Sequence, residues 1–113
     1  MKTWTLRLRA TDKSIFNEIK SGTKSIETRA GTIRYQPIEV GDTLVFVCGS
    51  NRCTKKIVKK FHWTSIDAMV RNIGFKKVMP SVNSVKEMKN AYVSYPDYKK
   101  KIKKYGLLGF ELK

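Results

Sequence analysis

The chain is short of the residues that staple or metallate small proteins. It holds two cysteines and one histidine in 113 residues. Cys48 and Cys53 suit a reduced intracellular protein better than a disulfide scaffold. Beside them His62 leaves too few soft ligands for a conventional zinc site, so neither a metal nor another cofactor is expected. No apolar run approaches the length needed to span a bilayer, and the N-terminus lacks the apolar core of a signal peptide. The expectation is a cytoplasmic protein with no membrane partner. Proline occurs three times, and there is no internal repeat, low-complexity tract or linker. Also missing are a glycine-rich phosphate loop, a paired-carboxylate glycosidase arrangement and a Ser-His-Asp set.

Acidic residues are the remaining scarcity. Nine Asp plus Glu face 24 Lys plus Arg, for a formal charge of +15. Such an excess repels itself unless a polyanion is present, and nucleic acid is the commonest one. Lysine far outnumbers arginine, which favours phosphate contact over bidentate reading of bases. The plainer alternative is a small protein kept soluble by lysine. A hydrophobic fraction of 41% over 113 residues supports one globular domain, Met1–Lys113, with a modest core. A monomer is the working expectation.

What is present centres on Gly22-Thr23-Lys24-Ser25-Ile26-Glu27-Thr28-Arg29. Lys24–Arg29 reads as a strand bounded by Gly22 and by Ala30-Gly31. In a strand Ser25, Glu27 and Arg29 share one face, with Ile26 and Thr28 on the other. Glu27 and Arg29 are then separated by roughly 6.6 Å along the strand, close enough for their side chains to meet. Lys24 falls on the opposite face, but at a helix-to-strand junction a long side chain can reach around. Two cations and one acceptor in so small an area suit a polar, anionic ligand. The competing reading is an ordinary surface ion pair on an exposed sheet face.

Elsewhere, Thr3–Arg9 alternates as a half-buried strand, with Trp4, Leu6 and Leu8 inward and Thr5, Arg7 and Arg9 on a basic outer face. Thr11 or Asp12 can cap a first helix whose buried stripe is Ile15, Phe16 and Ile19 and whose stop is Gly22. Ala30–Glu39 has no clean period and reads as a loop, where Arg34, Tyr35 and Gln36 are plausible ligand contacts. After the Val40-Gly41-Asp42 turn, Thr43–Cys48 reads as a buried central strand. A hairpin at Gly49-Ser50-Asn51 leads to a second long strand, Arg52–His62. A helix follows over Thr64–Ile73 with Thr64 as cap. Ser84 and Glu87 then form a capping-box pattern before a stripe of Val85, Met88 and Tyr92. Pro96 suits the first turn of a last helix, with Tyr98, Ile102 and Tyr105 as its packed side. Its Lys99, Lys100, Lys103 and Lys104 offer a phosphate-tracking surface, against the alternative of a solvated lysine face. Leu107–Leu112 closes as a strand.

The pattern Gly-x-Lys-x-x-Glu-x-Arg at Gly22–Arg29, behind a short amphipathic helix and ahead of Gly41-Asp42, resembles the ASCH domain family of the PUA-like superfamily. Trp4–Leu8 and Tyr105–Leu112 are similar to that family's first and closing strands. The resemblance implies an α+β fold: a PUA-like β-barrel, a pseudo-barrel of about five to six strands with flanking short α-helices. It also implies RNA or single-stranded nucleic acid as partner, with a free nucleotide or modified nucleoside as alternatives. Lys24, Glu27 and Arg29 would then hold a base or phosphate, helped by Arg7, Arg9, Arg34, Tyr35 and the helical lysines. Some similar proteins hydrolyse N4-acetylated cytidine, and a nuclease activity is attributed to others. Were this chain such a hydrolase, Lys24 and Glu27 would be its catalytic residues. The amidohydrolases carry a threonine three residues after the lysine, where this chain has Glu27. Their distant glutamate has only Glu87 as a candidate here.

Overall fold

The structure is a computed structural model that describes all residues from Met1 to Lys113. Five strands, β1 (Thr3–Leu8), β2 (Ile26–Ala30), β3 (Thr43–Cys48), β4 (Asn51–Trp63) and β5 (Leu107–Leu112), form one sheet. Four helices accompany it: α1 (Lys13–Ser21), α2 (Ile66–Ile73), α3 (Val85–Ser94) and α4 (Tyr98–Tyr105). The strand order is β1-β3-β4-β5-β2, with β1 parallel to β3 and every other pair antiparallel.

β4 shapes the sheet. Its first half pairs with β3, from Cys48 opposite Asn51 to Thr43 opposite Lys56. Its second half pairs with β5, and the register slips between Ile57 and Lys59, leaving Val58 as an extra residue. A bulge of this kind bends a strand and tightens its twist. The sheet accordingly curls into a half-barrel whose free edges are β1 and β2, a pseudo-barrel with flanking helices. This is the architecture expected from the sequence.

Both faces of the curl are covered, and the alternation of β5 sorts its side chains between two cores. Leu108, Phe110 and Leu112 join Leu6, Leu44, Phe46 and the α1 residues Phe16 and Ile19 inside the barrel. Leu107 joins Ile26, Ala30, Trp63, Met69, Met88 and Ile102 beneath α2, α3 and α4. β2 is therefore enclosed on both sides, which decides the setting of the charged motif.

Several boundaries differ from expectation for local reasons. β2 starts at Ile26, because Ser25 and Ile26 both donate from their backbone N–H groups to the Lys77 carbonyl. A single 3-10 turn at Ala10–Asp12 precedes α1, and neither Thr11 nor Asp12 caps that helix through its side chain. Ser65, not Thr64, caps α2 by accepting from the Ala68 N–H at 3.1 Å. α4 starts at Tyr98 rather than Pro96, because Asp97 takes a left-handed backbone (φ 59°) that interrupts the helix. Ile102 is the buried residue of α4 while Tyr105 is exposed. The capping box holds: Ser84 accepts from the Glu87 N–H at 3.1 Å, and Glu87 accepts from the Asn83 N–H at 2.9 Å. No helix is long and apolar enough to cross a membrane.

The Gly41-Asp42 turn has a larger part than a simple reversal. Gly41 has φ 92°, which suits glycine. The Asp42 carboxylate accepts from the Lys2 N–H (3.0 Å), the Trp4 indole N–H (2.9 Å) and the Glu39 N–H (3.0 Å). Those bonds hold its pKa down at about 2. Because the folded value is the lower one, this stabilisation is complete above the ordinary carboxylate range, near about 4, and fades as pH falls toward 2. Asp42→Asn should lower the melting temperature at pH 7 and shrink the loss of stability between pH 4 and 2. Thermal melts of both proteins across that range test it, and an unchanged acid limb in the variant refutes it.

Candidate functional site: a cavity between two strand edges

A half-barrel leaves its first and last strands without neighbours, and their open edges carry unpaired backbone groups. On β2 the groups of Glu27 and Arg29 face β5, so those of Ile26, Thr28 and Ala30 point outward. Side chains meet three of these six groups, and the Lys77 carbonyl and the Thr32 N–H meet the Ile26 N–H and the Ala30 carbonyl. Lys24 Nζ donates to the Ile26 carbonyl at 3.0 Å, and Glu27 Oε1 accepts from the Thr28 N–H at 2.9 Å. The Tyr98 hydroxyl accepts from the Ala30 N–H at 3.4 Å. The Thr28 carbonyl has no protein partner.

Lys24, Glu27 and Arg29 converge as the spacing implies, with Lys24 reaching around the junction. Lys24 Nζ lies 3.5 Å from Glu27 Oε1, and Arg29 Nη2 lies 3.3 Å from Glu27 Oε2. This is no surface ion pair: the side chains are 6%, 7% and 16% exposed for Lys24, Glu27 and Arg29. Lys24 also donates to the Val78 carbonyl at 2.5 Å. Two of its three N–H groups are thus committed to carbonyls, and the ammonium is also paired with Glu27 at 3.5 Å. Arg29 is less committed. Beyond Glu27 it donates to the Tyr35 hydroxyl at 3.4 Å, which leaves guanidinium N–H groups to spare.

Burial pulls the Lys24 ammonium below its usual pKa, with Glu27 opposing. Burial alone would raise the Glu27 carboxyl, but Lys24, Arg29 and the Thr28 N–H together hold it below the usual range. Burial likewise disfavours the Arg29 charge, yet Glu27 and the neighbouring tyrosines keep it above its ordinary value. Glu27 is therefore an acceptor at neutral pH.

This triad borders a cavity of about 420 Å³ between the end of β1, α1, β2 and the α3–α4 layer. Arg7 and Arg9, predicted from the outer face of the first strand, line it. Arg9 pairs with Asp12 at 3.0 Å and lies 5.6 Å from the centre of the Tyr95 ring. Tyr92, Tyr95 and Tyr98 also line the cavity. Tyr98 stacks on Tyr92 (centroids 6.4 Å) and meets Tyr95 edge-on (5.3 Å). Tyr92 shares a hydrogen bond with the Thr28 hydroxyl, and burial raises the pKa of all three phenols. Sequence reasoning missed this aromatic wall. Its signal was a tyrosine every third residue, at 92, 95 and 98, but Tyr92 and Tyr98 fitted helical stripes and were read as packing.

Other predicted residues fall elsewhere. The Tyr35 ring lies 5.5 Å from the Arg29 guanidinium and 5.4 Å from that of Arg34, and neither Arg34 nor Tyr35 lines the cavity. Lys99 and Lys103 line a separate groove of about 410 Å³, whereas Lys100 and Lys104 line neither hollow. Glu87 caps α3 and does not approach Lys24. Cys48 and Cys53 are free, and exposed His62 bonds the Tyr105 carbonyl at 3.0 Å.

Fold and site together define an α+β pseudo-barrel protein with an ion-lined, tyrosine-walled cavity between two strand edges, consistent with a PUA-like barrel. Solved structures share the fold from end to end. The crystal structure of the hypothetical protein PH0355 is similar at 27% identity with a TM-score of 0.85, over 100% of this chain and 98% of that one. The solution structure of protein PF0455 from Pyrococcus furiosus is similar at 26% identity with a TM-score of 0.79, over 98% and 96%. No protein-family model matches the chain, and no curated protein matches it.

Removing one member of a buried charge set leaves the others uncompensated. Glu27→Gln should therefore destabilise the fold by roughly 3–5 kcal/mol, and adding Lys24→Met should recover part of that loss. Urea unfolding of the two variants measures it. A loss below about 1 kcal/mol for Glu27→Gln is what a surface pair would give. The Glu27 contribution should also disappear in acid, as pH falls from about 4.3 through its lower folded pKa.

Proposed function

We propose that this protein binds single-stranded nucleic acid, RNA in the first place, and takes one unstacked base into the cavity. The observation that carries this reading is the cavity itself, set in a chain of charge +15. Its chemistry is graded. Exposed cations at Arg7 and Arg9 suit phosphate, and the rings of Tyr95 and Tyr98 suit a flat heterocycle. At the floor, Glu27 Oε2 and the Thr28 carbonyl supply acceptors and Arg29 supplies donors. Single-stranded RNA is read in this manner, by stacking on aromatics and hydrogen bonding to exposed base edges. The resemblance of Gly22–Arg29 to the ASCH motif points the same way.

A hydrolase reading finds less support in the geometry. The Lys24 ammonium donates to two carbonyls and is paired with a carboxylate. Glu27, with its lowered pKa, is a weak base. Glu87 is occupied as a cap.

Fluorescence anisotropy with a labelled single-stranded RNA across a salt series tests the proposal. Affinity should fall steeply with salt, by about 0.7 in log–log slope for each phosphate neutralised. Arg7→Gln with Arg9→Gln should flatten that slope by about 1.4. Arg29→Lys keeps the charge but loses the planar fork, so it should cost roughly 1–3 kcal/mol for the preferred base while changing the slope little. No binding at low salt, or a flat slope, refutes the reading.

A further inference from the structure

The four lysines of α4 that read as one basic surface in the sequence are two pairs. Lys99 and Lys103 lie one turn apart and face the groove of about 410 Å³ bounded by α2, α3 and α4. Lys100 and Lys104 lie one turn apart on another side, with Lys104 over the Tyr105 ring at 5.2 Å. The groove's one carboxylate, Asp67, is paired with Lys89 at 2.7 Å and thereby neutralised. The Lys99 and Lys103 ammonium groups have no acidic residue within 4.0 Å and donate no side-chain hydrogen bond, so two cations face the groove uncompensated. The groove also stands back to back with the cavity. Tyr92 borders both, and the α3–α4 corner runs between them, with Tyr95 and Pro96 on the cavity side and Val93 and Lys99 on the groove side.

We infer that this groove is a second phosphate-binding site for the same nucleic-acid strand, which places a base in the cavity, crosses the α3–α4 corner and lays its backbone along Lys99 and Lys103. The inference rests on the nucleic-acid reading of the cavity and adds a path and a polarity of contact to it. Charge complementarity selects the occupant. Two free ammonium groups one helical turn apart fit successive phosphodiesters, which carry charge without requiring a base-specific partner. The same path explains what Asp97 does at the corner. It is exposed and caps nothing through its side chain, so its charge stands against a passing phosphate and costs affinity.

The test compares two variants of equal charge change, Lys99→Gln/Lys103→Gln and Lys100→Gln/Lys104→Gln, on labelled oligouridine of three and of twelve nucleotides. With the twelve-mer, the Lys99/Lys103 variant should flatten the log–log salt slope by about 1.4, and the Lys100/Lys104 variant by less than half of that. The trinucleotide, too short to fill both sites, should respond less to either variant. Asp97→Asn keeps a residue that tolerates the left-handed backbone and should tighten twelve-mer binding severalfold at low salt. Equal losses from the two lysine pairs would mean a diffuse field and overturn the groove. So would an unchanged slope in the Lys99/Lys103 variant while Arg7→Gln/Arg9→Gln still weakens binding, an outcome that leaves the cavity reading in place. Failure of the wild-type protein to bind either oligomer removes both.

Discussion

A strand at the edge of an unclosed barrel has backbone groups that no neighbouring strand can satisfy, and the way β2 meets that constraint organises the rest of this protein. Its outward N–H and C=O groups are met by the Lys24, Glu27 and Tyr98 side chains and by the Lys77 and Thr32 backbone in place of a sixth strand, with the Thr28 carbonyl left open. Lys24 and Glu27 are drawn out of water to do so, which is costly unless the charges are paired and hydrogen-bonded. Arg29 completes the pairing, and Tyr35 holds Arg29 in place. Lys24, Glu27, Arg29 and Tyr98 then border the gap in the curl. On the proposed reading, edge protection and ligand chemistry are two demands on one set of residues.

This double role separates the charges into groups with different physics. The triad is buried, so its charges act at short range and largely unscreened by salt. The lysines of α4 and the arginines at the end of β1 are in water, where salt screens them and each contributes little to stability. A protein can carry a large positive excess in this way without having its core depend on it. On the nucleic-acid reading proposed above, the excess would act on an approaching strand and the buried set on a base in the cavity.

Much of the scaffold was legible because period and punctuation agreed. The alternation in Trp4, Leu6 and Leu8, the left-handed stop at Gly22 and the Ser84 cap all stand where local rules put them. The convergence of Lys24, Glu27 and Arg29 was legible too, from strand alternation and side-chain reach. Its burial was not. Whether a charged strand face lies in water or under a layer of helices depends on elements far along the chain, here α3, α4 and the Val78 segment. The tyrosine wall was hidden for a related reason: a ring lining a cavity and a ring filling a core have the same helical spacing. Asp97 broke the expected start of α4 because a left-handed residue that is not glycine leaves no compositional mark. The split among the α4 lysines needed the position of α2, which the spacing of one helix does not contain.

The position of β5 in the sheet has a consequence for how the protein is made. Leu107–Leu112 pairs with both β4 and β2, and Glu27 sits opposite Phe110. The charged motif is synthesised early and its covering strand late. At about 5–20 residues per second, several seconds separate the two on a ribosome. During that interval β2 lacks the one strand it pairs with. Closure then brings together segments from opposite ends of the chain, a contact of high sequence separation that slows folding. A nascent chain bearing so many cations beside ribosomal RNA has an abundant polyanion at hand while it waits.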